Sequence, residues 1–84
     1  MKNDNTMEIK SEITNSDKQI LQVAVDGING WSFNPVALVT NGEDEYYFIC
    51  KVKTVIEDLQ MKMARLYVKM MNTKPRLLSI ESIA

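Results

Sequence analysis

The stretch Thr54 to Asn72, TVIEDLQMKMARLYVKMMN, limits the fold more than any other part of the chain. At about 100° per residue, Val55, Leu66, Leu59, Met70, Met63, Ile56 and Tyr67 fall across an arc of about 120°. Asn72, Arg65, Asp58, Lys69 and Lys62 fill a separate polar arc. Strand alternation does worse, because it puts Met61, Met63 and Tyr67 on one face with Arg65 and Lys69. Thr54 and Glu57 have capping-box spacing, and Asp58 lies in the first turn, where the helix dipole favours an anion. Asn72, with Pro75 beyond it, supplies a stop. The spacing therefore predicts one amphipathic helix over 54–72.

That helix has apolar surface to spare. Met71, Ala64, Val68 and Met61 form a second apolar group on the same wheel. A helix lying on one sheet buries one stripe, so the second stripe predicts a contact with another protein. Methionine is flexible and suits adaptable surfaces, and a symmetric self-contact is the simplest version. The competing reading is that loops or the N-terminal segment cover these residues.

Upstream, Asn41-Gly42 stands between VALVT and EDEYYFICKVK, the pattern of a type I′ hairpin. Alternation puts Tyr46, Phe48, Cys50 and Val52 on one face, which reads as the core. For an even-length loop, Ala37 and Val39 join that face, and Val36 and Leu38 join Tyr47 and Ile49 on the other. That second face is apolar near its middle and offers an alternative contact surface. Ile20 to Val25 reads as a further strand with Leu21, Val23 and Val25 on one side. Residues 7–13 form a weaker strand candidate with Asn15-Ser16-Asp17 as its turn. Asp26 to Asn34 reads as a loop holding Trp31 and Phe33, which are expected to fold back onto the core. Arg76 to Ile83 partly alternates and predicts a last strand.

The chain is expected to form one small domain over 1–84, with residues 1–6 flexible. The fold class is α+β: an antiparallel sheet of four to five strands packed by one amphipathic helix. The order is β-β-β-β-α-β, five strands if residues 7–13 form the first.

Chemistry is sparse. There is no histidine, which removes the usual general base, metal ligand and physiological pH switch. Cys50 is the sole cysteine, sits in an apolar strand and reads as a buried structural thiol. Glu43, Asp44 and Glu45 lack calcium-loop spacing and read as a solvated hairpin tip. Gly27 and Gly30 precede a strand, where a phosphate loop would open a helix. No catalytic, cofactor-binding or metal-binding residue is assigned, and no cofactor is expected. No apolar run is long enough to span a bilayer, and the N-terminus lacks an apolar signal core, so a cytoplasmic location without a membrane partner is expected.

Charge is unevenly placed within a net of −1. Residues 1–50 carry three lysines against eight acids, and residues 51–76 carry seven basic residues against Glu57 and Asp58. Lys62, Arg65 and Lys69 would share one helix face, flanked by Lys51, Lys53, Lys74 and Arg76. Two functions follow. The leading one is a non-enzymatic protein–protein interaction domain, a homodimer, using Met61, Val68 and Met71, or alternatively Val36, Leu38, Tyr47 and Ile49. The second is nucleic-acid binding through the seven basic residues, against which stands a sequence pI of about 5.3.

Overall fold

Thr14 and Asp17 begin the one helix among the described residues with a reciprocal cap. Asp17 N–H donates to Thr14 Oγ1 at 3.1 Å, and Thr14 N–H donates to Asp17 Oδ2 at 3.1 Å. Two backbone donors at the helix start are thereby satisfied. Helix α1 spans Asn15–Val25 and presents Asp17, Leu21 and Val25, spaced four apart, to the interior. It ends at Asp26, with Gly27 beyond it at φ 99°, a conformation that glycine adopts without the Cβ clash other residues meet. The computed structural model describes residues 7–10, 12–54 and 62–83.

Strand β1 spans Glu8–Lys10, β2 Trp31–Thr40, β3 Glu45–Thr54, β4 Met63–Met71 and β5 Lys74–Ser82. They form one antiparallel sheet in the order β1-β2-β3-β4-β5. The α+β class is as expected, but the element order is β-α-β-β-β-β. Two expectations are corrected by this. The helix lies at 15–25, where a turn and a strand were expected. The second half of the expected 54–72 helix is β4, and residues 55–61, including Met61, lie outside the described residues, as do 1–6.

The reason lies in what counts as a clean face. Along β4, Ala64, Leu66 and Val68 are fully buried, while Met63, Arg65, Tyr67, Lys69 and Met71 take the other side. That other side mixes apolar and charged residues because α1 covers only one face of the sheet. A half-apolar open face makes period 2 look poor and lets period 3.6 compete.

The core lies between α1 and the inner face. Leu21 and Val25 meet Phe33, Leu38, Phe48, Cys50, Val52, Ala64, Leu66 and Val68. Tyr46, Phe48, Cys50 and Val52 share the inner face, as read from alternation. The β2 partner residues are reversed: Leu38 pairs with Phe48 and is fully buried, and Val39 pairs with Tyr47 on the open face. Five residues separate the paired Thr40 and Tyr46, so the loop is odd in length and the parity inverts. Asn41 does not take positive φ here, and Gly42 alone does, at 79°. Asn41 Oδ1 instead accepts from the N–H groups of Glu43, Asp44 and Glu45 at 2.8–3.1 Å, and that is what shapes the tip.

A bulge at Val36 shifts the register between Pro35 and Ala37, which lets Phe33 and Leu38 both face inward despite their opposite parity. Proline fits such a position because it has no N–H to give the ladder. Trp31 and Phe33 lie in β2, where a loop was expected. Phe33 is buried in the core, and Trp31 packs at its margin with the ring centroids 5.9 Å apart. The β4–β5 connection is the two-residue turn Asn72-Thr73, with φ 53° and 66°, the positive pair that a type I′ hairpin requires.

Candidate interaction surfaces

The open face is built row by row from directly opposed residues. Ile9, Val39, Tyr47, Tyr67 and Ser79 form one row, and Ala37, Ile49, Arg65 and Glu81 form the next. Asn34, Lys51 and Met63 lie beyond, followed by Ser32 and Lys53. On the opposite side come Glu45, Lys69 and Arg76, then Met71 and Lys74. The centre is therefore apolar and aromatic, and both ends are basic.

The central residues are tied together. Tyr47 and Tyr67 stack with centroids 4.6 Å apart and rings 8° from parallel. The Arg65 guanidinium lies 5.8 Å from the Tyr47 centroid, a cation–π distance, and is ion-paired with Glu81. Tyr67 donates its hydroxyl to Glu45 Oε2 at 2.9 Å. That bond to a carboxylate favours the neutral phenol and pushes Tyr67 up to about 12. Met7, Val39, Tyr47, Ile49 and Arg65 line a shallow depression beside this pair.

The second candidate surface is the outer edge of β5, against which no strand pairs among the described residues. This strand is nine residues long and ends the sheet, whereas the opposite edge strand, β1, has three. A long edge offers unpaired backbone N–H and C=O groups to another strand. Leu78 sits there as an extra residue where the register with β4 shifts, and it is 49% exposed.

The sequence-assigned contact residues divide between inside and outside. Val68 and Leu38 are fully buried core residues, so neither presents a surface to a partner. Tyr47 and Ile49 are half-buried on the open face, Val36 is exposed at the β2 bulge, and Met71 is exposed beside the β4–β5 turn. Among the basic residues, Lys51, Lys53, Arg65, Lys69, Lys74 and Arg76 all fall on the open face. Lys62 is exposed just before β4, and its carbonyl accepts from Val52 N–H at 2.9 Å. Tyr67, Val39 and Ile9 were missed as surface residues. Strict alternation through Met63–Met71, read with the open face allowed to be half apolar, finds Tyr67; Val39 follows from the odd length of the β2–β3 loop, and Ile9 from its pairing with Val39.

Cys50 is buried, and burial pushes its thiol up to about 12, far from a reactive thiolate at neutral pH. Among the described residues no group of three His, Cys, Asp or Glu side chains is placed to hold a metal ion. No described helix is long and apolar enough to cross a membrane.

The fold and these two surfaces define a small α+β domain with a one-sided helix, an open basic sheet face and an outer edge strand. Neither family models, nor curated protein sequences, nor solved structures give a match to the chain.

Proposed function

We propose that the protein is a non-enzymatic interaction domain that works as a homodimer through the outer edge of β5. The observation that carries this is the self-complementarity of that edge. In the antiparallel register that sets Leu77 opposite Ile80 of a second copy, Arg76 falls opposite Glu81. Opposed residues must share a face for strands to pair, and the extra residue Leu78 allows both pairs to do so. Pairing would satisfy edge backbone groups, bury exposed Leu78 and join two sheets into one of ten strands. An open-face dimer is the poorer alternative, because it would press two basic surfaces together. A cytoplasmic location belongs to the same reading, and the single free Cys50 suits a reducing compartment.

Solution mass by light scattering over a wide concentration range tests the reading. A dimer is expected, weakened by Arg76→Glu and recovered when Glu81→Arg is added. A monomer at every concentration, or a dimer indifferent to these changes, would overturn it.

A further inference from the structure

Charge on this molecule is divided by face. The open face carries Lys51, Lys53, Arg65, Lys69, Lys74 and Arg76 against Glu45 and Glu81. Both acids are engaged, Glu45 by the Tyr67 hydroxyl and Glu81 by Arg65. Among the described residues the other five cations make no ion pair. A chain with net charge −1 thus keeps one strongly positive surface.

The arrangement matters as much as the sign. Lys51 pairs with Met63, and Lys69 lies six residues further along β4, so the two cationic rows stand about 20 Å apart. At about 3.4 Å per nucleotide of a stacked strand, that distance spans roughly six nucleotides. Between the rows lie the stacked Tyr47 and Tyr67 and the aliphatic Val39 and Ile49. Tyr67 faces Ser79 across β4–β5, and this small neighbour leaves that flank of the ring without another aromatic cover.

We propose that the open face binds a single-stranded nucleic acid. The backbone phosphates meet the two cationic rows, and a base extends the Tyr47–Tyr67 stack on the Ser79 side. A duplex would offer this face phosphates only and leave its apolar centre unused, whereas a single strand can turn its bases onto it. An acidic protein segment would satisfy the cations, but a planar base makes better use of a flat pair of parallel rings. This inference is separate from the dimer, since one copy already presents the whole face.

Anisotropy of labelled oligouridylate and oligothymidylate, each about a dozen nucleotides long, tests the proposal. Binding is expected at low salt, with log affinity falling against log salt at a slope of about −3 for four phosphate contacts. Lys51→Glu combined with Lys69→Glu should weaken binding about tenfold or more, whereas Lys18→Glu on the exposed helix surface should leave it within about twofold. Tyr67→Ala should cost roughly tenfold and Tyr67→Phe little, since the ring carries the stacking. Circular dichroism and solution mass on each variant separate loss of binding from loss of fold or of dimer. No binding at low salt would overturn the proposal. So would equal binding of duplex, or of heparin and polyglutamate with no effect of Tyr67→Ala.

Discussion

Leu66 and Tyr67 are neighbours in one strand, yet they live in different solvents. Leu66 is fully buried between Phe48 and Ile80 beneath α1, and Tyr67 stands half-exposed between Tyr47 and Ser79. Both faces are rich in carbon, but only the inner one is closed. The residues at its centre, Leu38, Phe48, Leu66 and Val68, are fully buried and carry the fold. The open face keeps its aromatic pair wet and rims it with charge, an arrangement that costs little in solubility and leaves apolar area for a ligand.

The sharpest way to break this contrast is to truncate the two neighbours separately. Leu66→Ala removes a fully buried side chain and leaves a cavity, so a loss of about 2–5 kcal/mol is expected. Tyr67→Ala removes a cross-strand pair on a solvated face, worth about 1 kcal/mol. Urea denaturation measures both. Equal losses would mean that the open face is as structural as the core.

The closure of the inner face depends on where α1 begins, and Asp17 holds that point. Its carboxylate accepts from Lys10 Nζ of β1 at 2.7 Å as well as from the Thr14 N–H. Burial alone would raise this carboxyl, but the Lys10 and Thr14 bonds outweigh it and hold the group below its ordinary value. A depressed folded-state pKa means stability that is whole above the unfolded carboxylate value, near 3.8, and lost as pH falls through the lower folded one. Asp17→Asn should therefore cost about 1 kcal/mol at neutral pH and flatten the acid limb of the stability profile. An unchanged acid limb would show that the helix start does not hang on this ion pair.

Much of the inner face is legible in the sequence. Tyr46, Phe48, Cys50 and Val52 could be read from alternation, because β3 sits mid-sheet and its outer residues turn charged at Lys51 and Lys53. The helix is not, since Ile20, Leu21, Val23 and Val25 suit a short strand as well as a helical stripe. The capping pair Thr14 and Asp17 was the signal that could have decided it. Leu38 went to the wrong face because one extra loop residue inverts a whole strand, and side-chain bonds from Asn41 set the length of that loop. The basic set was recognised, but its geometry was not. Lys51 and Lys53 join Arg65 and Lys69 through strand pairing, a relation that no wheel displays.

The β4–β5 turn and the extra residue Leu78 together place Ser79 and Glu81 opposite Tyr67 and Arg65, and the turn plays its part with a poor residue. Thr73 is β-branched and sits at φ 66°. The left-handed conformation costs a non-glycine residue about 1–2 kcal/mol, and glycine gives back about 0.5–1 in unfolded-state entropy. Thr73→Gly creates the Asn-Gly pair favoured by type I′ turns and should stabilise by about 0.5 kcal/mol, raising Tm by about 2–4 °C. A lower Tm would mean that the threonine side chain contributes something that positive φ alone does not reveal.

The smallest effect lies on the open face and concerns a proton. Tyr67 gives its hydroxyl hydrogen to Glu45, so removing that proton would leave a phenolate beside a carboxylate with no donor between them. That is why its pKa stands near 12, above the ordinary value of 10. Glu45→Gln removes the negative charge and should return Tyr67 toward 10, seen as an earlier alkaline step in tyrosine absorbance or in the ring carbon shifts. Tyr46, on the inner face, is raised first by burial, and the same substitution leaves its cover in place. The two tyrosines thus separate a shift made by one hydrogen bond on a wet surface from a shift made by loss of water. If Glu45→Gln moved neither, the Tyr67 bond would not persist in solution, and the open face would hold its tyrosines by stacking alone.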